Sequence, residues 1–258
     1  MKRINLALQG GGAHGAFTWG VLDRILEDDR IEIAAMSGTS AGAMNGAALK
    51  AGMLSGGRDG ARENLNWFWE QVGAVKDEAL VAWMDAWSPA TSFLSAALAV
   101  SPAYAALDVS SRIMSPYATG PFYSNALKPI VEQLRFDAVC ADAGPELHVC
   151  ATNVRSGKIK MFSGDAITPD ALMASACLPT VYQAVEIDGE AYWDGGYTGN
   201  PALFPLFEPK LPSDIVVVNI NPLERNDVPT DPQAIQNRIN EISFNTSLLR
   251  ELRAIEFV

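Results

Sequence analysis

The sequence predicts an α/β fold with a mainly parallel central sheet covered by helices on both faces. Two strand–helix pairs indicate it. The apolar run INLALQ (4–9) leads through glycines into the helical pattern AFTWGVLDRIL, and IEIAAM (31–36) leads through SGTSAG into the small-residue helix AGAMNGAALKAG. A β-α-β-α order opens a parallel sheet, because each helix carries the chain back to the same end of the sheet. A third apolar run, DIVVVNI (214–220), is typical of a buried strand.

The rest of the chain fits one domain over residues 1–258. Residues 60–135 are mostly helical in pattern, with RENLNWFWEQV, DEALVAWMDAW and NALKPIVEQL separated by breaks. Hairpins are expected where ELHVCATNV meets KIKMFS at Ser156-Gly157, and across Asp188-Gly189. PDALMASACLP predicts a short helix stopped at Pro179, and the C-terminal 28 residues predict a long amphipathic helix whose pattern is unfinished at Val258. No repeat or linker divides the sequence.

Charge and composition exclude some classes of protein. The chain is 48% hydrophobic with a formal net charge of −11, which argues against a nucleic-acid partner because binding phosphates requires a basic face. The same charge disfavours electrostatic docking on anionic membranes, whereas transient contact with a membrane surface through an apolar patch stays open.

Cysteine usage and hydropathy indicate a cytoplasmic protein. The three cysteines (Cys140, Cys150, Cys177) are odd in number and lack C-x-x-C spacing, so we predict neither a disulfide framework nor a metal site. The apolar run at the N-terminus is too short for a signal peptide. The most apolar stretch, residues 93–107, is shorter than a membrane span and contains Pro102; a buried helix is the favoured interpretation and a lid or interfacial patch the alternative.

The loop GGGAHG (10–15) admits two interpretations. Its glycines fit the G-x-G-x-x-G spacing of a dinucleotide-binding turn, which needs an acidic residue about 20 positions on, at the end of the second strand. That strand ends in Ser37-Gly38-Thr39-Ser40 instead, and no Gly-Lys-Ser/Thr follows the glycines as a P-loop requires. A nucleotide-dependent oxidoreductase is therefore improbable, and we predict no cofactor. The alternative is that the backbone N–H groups hold a developing oxyanion.

The pentapeptide Gly38-Thr39-Ser40-Ala41-Gly42 matches G-x-S-x-G between a predicted strand and a predicted helix. A nucleophile elbow needs this context, because the tight turn forces the serine into an unusual backbone conformation and leaves room only for small neighbours. A plain strand–helix connection is the alternative for the pentapeptide alone.

The sequence offers Ser40 no late histidine as a base. The chain has two histidines, His14 and His148, and nothing after residue 148 can supply the late histidine of an ordinary α/β-hydrolase triad. His148 is expected to be an ordinary strand residue. The carboxylate of Asp194, in YWDGGYTGNPAL after a short aromatic strand, is the candidate base. A hairpin-turn aspartate is the alternative for an isolated Asp-Gly.

Together these residues resemble the patatin-like phospholipase family. The resemblance rests on the glycine loop with Gly10, Gly11, Gly12, His14 and Gly15, the elbow from Gly38 to Gly42, and the motif Asp194-Gly195-Gly196. It extends to Ala174-Ser175 with Pro179, to Asn200-Pro201, and over residues 4 to about 220. It implies a three-layer α/β/α fold and a lipid acyl hydrolase with a Ser40–Asp194 dyad, without metal or cofactor.

The resemblance further implies an acyl-enzyme on Ser40, with an oxyanion hole at Gly10, Gly11 and Gly12. His14, Gly15, Gly38, Gly42, Gly195 and Gly196 support these motifs. The expected partner is a lipid or another acyl ester; oligomeric state, head group and acyl length are left open. The aromatic residues of the helical middle are candidates for an acyl-chain wall or for core packing (Trp67, Phe68, Trp69, Trp83, Trp87).

One position departs from the family pattern, since the loop residue that is usually Arg or Lys is His14. A cation would exist there only when the imidazole is protonated. Two other functions remain open: a non-catalytic binder of acyl ligands, and an esterase acting on another ester or a storage polyester.

Overall fold

The computed structural model describes residues 1–75, 80, 115–118 and 123–256. Its strands are β1 (Lys2–Leu8), β2 (Ile31–Thr39), β3 (Glu146–Asn153), β4 (Ile159–Ser163), β5 (Val185–Ile187), β6 (Glu190–Asp194) and β7 (Ile215–Val218). They form one seven-stranded sheet in the order β5-β6-β3-β2-β1-β7, with β4 paired to β3. The four strands β7, β1, β2 and β3 run parallel, whereas β4, β5 and β6 pair antiparallel with their neighbours.

The described helices are α1 (Gly15–Leu26), α2 (Ala41–Ala74), α3 (Lys128–Val131), α4 (Phe136–Val139), α5 (Pro169–Ser175) and α6 (Pro232–Glu256). The two helices predicted around residues 41–52 and 62–72 are the arms of α2. They meet at Gly56 and Gly57, where the backbone leaves helical geometry and Gly57 has a φ of 64°. Glycine permits this kink because it has no Cβ to clash at positive φ.

Side chains of the parallel strands alternate between two apolar layers. Leu6 and Leu8 of β1 face the large core, which includes α1, α2 and α5, whereas Ala7 between them packs with Leu206 and Leu248 on the opposite face. This period of two is that of a strand with both faces covered. The predicted α/β fold, with a mainly parallel sheet between helical layers, is confirmed.

The edge of β3 brings two strand ends together. On that edge the last residue pair between β2 and β3 is Thr39 with Cys150. The next residue of β3, Ala151, pairs with Asp194 of β6. β2 and β6 share this edge because β4 pairs with the same stretch of β3 and therefore occupies the other edge. The ends of β2 and β6 consequently meet, which places the residue after Thr39 beside Asp194.

Most predicted elements are present. Both hairpins form, and the second turns through Asp188 and Gly189, which have φ values of 52° and 79°. The short helix α5 ends before Pro179, as expected. On α1, Thr18, Leu22 and Leu26 are buried, whereas Phe17 is 63% exposed.

Several expectations fall outside the described residues. These are the helix at 77–87 apart from Leu80, the apolar stretch 93–107, Trp83 and Trp87. Phe68 and Trp69 lie in the large core and Trp67 packs against it, consistent with core packing. The three cysteines are free thiols. Within the described ranges no helix combines the length and apolarity that a membrane crossing needs.

Candidate active site

Ser40 occupies a strained turn between β2 and α2. Its φ of 53° and ψ of −123° lie in a region that non-glycine residues rarely adopt, at a typical cost of about 1–3 kcal/mol. Two hydrogen bonds hold this turn: the Ser40 N–H donates to Ser175 Oγ at 2.9 Å, and the Ser40 carbonyl accepts from the Met44 N–H at 3.1 Å. The turn therefore has the conformation that the G-x-S-x-G spacing predicts.

Small residues surround the turn because the backbone approaches closely there. A Cβ on Gly38 would lie 2.8 Å from the backbone of Ala43, and one on Gly42 would collide with the Leu8 carbonyl. A Cβ on Gly10 would lie 2.7 Å from the Ser40 Cβ. The glycine loop and the elbow are thus in direct contact.

We expect Ser175→Ala to weaken the elbow. The substitution leaves the buried Ser40 N–H without its acceptor, which typically costs about 1–3 kcal/mol of stability. Thermal unfolding of the wild type and the variant would measure this loss. Ser156→Ala, in an exposed turn, is the control and should change little; equal melting temperatures for Ser175→Ala and the wild type would contradict the assignment.

Asp194 is fully buried and its backbone is tied on both sides. Its N–H donates to the Cys177 carbonyl at 2.8 Å, and its own carbonyl accepts from Thr152 Oγ1 at 2.8 Å. In the side chain, Oδ1 accepts the Gly196 N–H at 2.8 Å, whereas Oδ2 is buried and makes no hydrogen bond within the described residues.

Burial raises the pKa of Asp194 to about 7, although the Gly196 N–H and the nearby Ser40 hydroxyl both favour its charged form. Ser40 Oγ is also buried and makes no hydrogen bond of standard geometry in the described part of the chain. The Ser40 hydroxyl is therefore close enough to Asp194 to stabilise its charged form, but no hydrogen bond of standard geometry joins the two side chains. Catalytic hydrogen bonds are often long in ligand-free structures and tighten with substrate.

The two glycines after Asp194 are required by close packing. A Cβ on Gly195 would meet the Cys150 carbonyl, and one on Gly196 would overlap the ring of Phe244. The D-G-G segment can therefore wrap tightly against β3 and α6, which fixes the direction of the Asp194 carboxyl.

In the glycine loop, one of the three N–H groups expected to bind an oxyanion already has a partner. The Gly10 N–H is already used, because it donates to Asn200 Oδ1 at 2.7 Å. Gly12 has a φ of 53°, which favours glycine, and the N–H groups of Gly11 and Gly12 have no acceptor among the described residues. At the start of α1, a Cβ on Gly15 would lie 2.6 Å from the Ala41 Cβ.

Neither histidine is arranged as a charged partner for the serine. Burial lowers the pKa of His14, although Glu241 opposes that shift, so the imidazole is neutral near pH 7 and supplies no cation to the loop. His148 is on β3, where it pairs with Ser37 of β2, the residue three positions before Ser40. Burial lowers the pKa of His148 too. His148 Nε2 has no hydrogen-bond partner within the described residues.

Sequence reasoning missed the polar residues that hold these segments together. Asn45 donates to the carbonyls of Gly15 and Ala41 at 3.0 and 2.9 Å and accepts from Trp69 Nε1 at 3.0 Å, so it ties α1 to α2. Asn221 Nδ2 donates to the Gly10 carbonyl of the glycine loop, and Gln9 Oε1 accepts the Asn221 N–H. The one available signal was a polar residue at the end of an apolar strand run, as at Gln9.

The fold and the site define an α/β protein with a strained serine at a strand–helix elbow and a buried carboxyl beside it. A family model described as patatin-like phospholipase matches residues 6–207. The chain belongs to the patatin-like phospholipase family, which confirms the resemblance of the motifs.

One similar solved structure is the crystal structure of VipD from Legionella pneumophila. It is 18% identical with a TM-score of 0.40, and the match covers 74% of this chain and 45% of that one. The chain thus matches less than half the length of that structure. Comparison with curated proteins gives no match.

Proposed function

We propose that the protein is a serine acyl hydrolase that cleaves carboxylic ester bonds of lipids, with Ser40 as nucleophile and Asp194 as base. The observation that carries the proposal is the meeting of β2 and β6 on one edge of β3. It sets a strained serine beside a buried carboxyl whose Oδ2 has no other partner within the described residues.

In the proposed reaction, Ser40 Oγ attacks the ester carbonyl while its proton passes to Asp194 Oδ2. The alcohol leaves with a proton returned from Asp194, and an acyl-enzyme remains on Ser40. Water, deprotonated by the same carboxylate, then attacks the acyl carbon; the bond from that carbon to Ser40 Oγ breaks, Oγ takes the proton back from Asp194, and the fatty acid is released. An ordinary aspartate is a weak base for a hydroxyl, so the raised pKa of Asp194 supports this role.

Developing negative charge on the carbonyl oxygen needs preorganised donors. The N–H groups of Gly11 and Gly12, which have no acceptor among the described residues, are candidates, and the N–H of Ala41 at the start of α2 is a third. Gly10 is not used in this way in our proposal, because its N–H is bound to Asn200. One such donor is typically worth about 10²–10³ in kcat.

The substrate class follows from family membership rather than from a described pocket. A lipid ester is the expected substrate. The net charge of −11 favours zwitterionic or neutral lipid surfaces over anionic ones, provided the protein makes transient contact with a membrane.

A fluorophosphonate probe tests the nucleophile directly. We expect it to label Ser40 in the wild type, and labelling to disappear in Ser40→Ala. The matched control is Ser37→Ala, because Ser37 is equally buried on β2, the strand that leads into the Ser40 turn, and also has an unpaired hydroxyl within the described residues. The same panel is then assayed on an acyl-length series of p-nitrophenyl esters and on phosphatidylcholine vesicles.

The possible results separate the candidate functions. Hydrolysis of both substrate sets supports a lipid acyl hydrolase, whereas hydrolysis of the simple esters alone points to another ester or a polyester. A wild type that binds acyl chains but neither labels nor turns over would be a non-catalytic binder and would refute the proposal.

A further inference from the structure

Four buried side-chain amides lie behind the glycine loop and form one hydrogen-bonded network. They belong to Gln9, Asn200, Asn221 and Asn245, and each residue is at most 2% exposed. They come from four separate segments of the chain. Burying an amide is costly unless it is hydrogen-bonded, so a cluster of four implies a specific arrangement.

Asn200 and Asn221 hold both polar groups of the Gly10 backbone. Asn200 Oδ1 accepts the Gly10 N–H at 2.7 Å, and Asn200 Nδ2 donates to the Gly10 carbonyl at 3.3 Å. Asn221 Nδ2 donates to the same carbonyl at 2.9 Å. Because a backbone N–H can only donate and a carbonyl can only accept, these partners fix which way each amide points.

Gln9 anchors the other end of the network. Its Oε1 accepts the N–H groups of Ile220 and Asn221 at 2.7 and 2.8 Å, and its Nε2 donates to Asn245 Oδ1 at 2.8 Å. Asn245 in turn donates to the Pro222 carbonyl at 3.0 Å. The segment that carries Asn221 is therefore fastened to β1 and α6 before it reaches the loop.

Asn200 also belongs to the segment that carries the proposed base. It follows Asp194 by six residues, and the preceding Gly199 carbonyl accepts from Thr39 Oγ1 at 2.6 Å, next to the elbow. A shift of Asn200 would move the loop relative to Ser40, because Gly10 touches Ser40.

From this arrangement we infer that Asn200 and Asn221 are positioning residues for the oxyanion loop. By fixing both polar groups of Gly10, they set the direction in which the N–H groups of Gly11 and Gly12 point. The inference rests on the proposed function and goes beyond it, since these amides touch neither substrate nor the reacting atoms. They act by preorganising donors, which must match the position of the oxyanion closely.

Alanine variants of the two residues test the inference. We expect Asn200→Ala, which removes two bonds to Gly10, to lower kcat for a p-nitrophenyl ester by about tenfold, and Asn221→Ala, which removes one, to lower it by about threefold. KM should stay within about twofold in both, because the oxyanion forms only in the transition state. The pH at half-maximal kcat/KM should not move, since Asp194 is untouched.

The matched control is Asn5→Ala. Asn5 is equally buried, but its amide donates to the carbonyls of Pro212 and Leu206 rather than to the glycine loop. It should lose stability without losing kcat in the folded fraction, measured by circular dichroism beside the kinetics. The inference would be overturned if kcat fell no further in the Asn200 and Asn221 variants than in Asn5→Ala. It would also be overturned if these variants raised KM and left kcat unchanged.

The outcomes also separate this inference from the proposed function. If the wild type hydrolyses esters, Ser40→Ala does not, and the Asn200 and Asn221 variants keep wild-type kcat, only the positioning role is rejected. A wild type without hydrolysis would reject both. If Asn200→Ala fails to fold, Asn221→Ala decides alone, because it leaves the Gly10 N–H bound to Asn200.

Discussion

Asp194→Asn is expected to lower kcat for ester hydrolysis by about 10³-fold in a protein that stays folded. The amide has nearly the shape of the carboxyl and keeps an oxygen to accept the Gly196 N–H, but it cannot take the proton from Ser40. General-base catalysis typically contributes about 10²–10⁴ in rate. The measurement is steady-state hydrolysis of a p-nitrophenyl ester, with circular dichroism to verify the fold.

The variant also separates catalysis from stability. Burial opposes the charge on Asp194, so removing that charge should leave the melting temperature unchanged or higher at pH 8. The matched control is His148→Ala, which removes a buried side chain from β3 but no proposed catalytic group. We expect it to keep most of its activity. Wild-type turnover in Asp194→Asn would refute the dyad. Near-complete loss in a folded His148→Ala would mean that a histidine takes part.

The site motifs were predictable from sequence because each depends on local backbone geometry. The elbow requires small residues at Gly38 and Gly42, and the structure shows the contacts that exclude any larger side chain. The parallel strand order followed from the same strand–helix alternation. The sequence also suggested which strand ends carry the serine and the aspartate, since both lie just after apolar strand runs.

The parts that could not be predicted depend on pairing between distant segments. Nothing local to Asp194 indicates that β6 joins the edge of β3 just beyond the end of β2, yet this pairing brings the two side chains together. The amide contacts to Gly10 join residues about 190 to 211 positions apart. On α1, helical spacing alone does not show which apolar residues meet the core: Leu22 and Leu26 are buried, whereas Phe17 is exposed.

Activity and stability should depend on pH in opposite directions, and both through Asp194. With a folded-state pKa of about 7, only about 1% of the carboxyl is ionised at pH 5, so kcat/KM should fall ~100-fold from its plateau above pH 8. The neighbouring thiols do not titrate in this range, because burial raises the pKa of Cys177 to about 12 and that of Cys150 further.

Stability is linked to the same proton with the opposite sign. Unfolding returns Asp194 to its ordinary pKa of 3.8, so between about pH 4 and 7 the folded state binds more protons than the unfolded state. The contribution of Asp194 to the free energy of unfolding is therefore fully present below pH 4 and is lost as the pH rises through 7. A difference of this size in pKa is worth about 4 kcal/mol.

The difference in unfolding free energy between the wild type and Asp194→Asn isolates the contribution of the Asp194 carboxyl from those of all other titrating groups. Urea unfolding of the wild type and Asp194→Asn at pH 4.5, 6 and 8 should show the wild type losing stability relative to the variant as the pH rises. Parallel stability curves for the two proteins would show that the Asp194 carboxyl has an ordinary pKa. In that case its burial could not supply the basicity that the proposed mechanism requires. If the curves diverge as expected, the protein loses stability over the same pH range in which Asp194 gains the charge that the proposed activation of Ser40 requires.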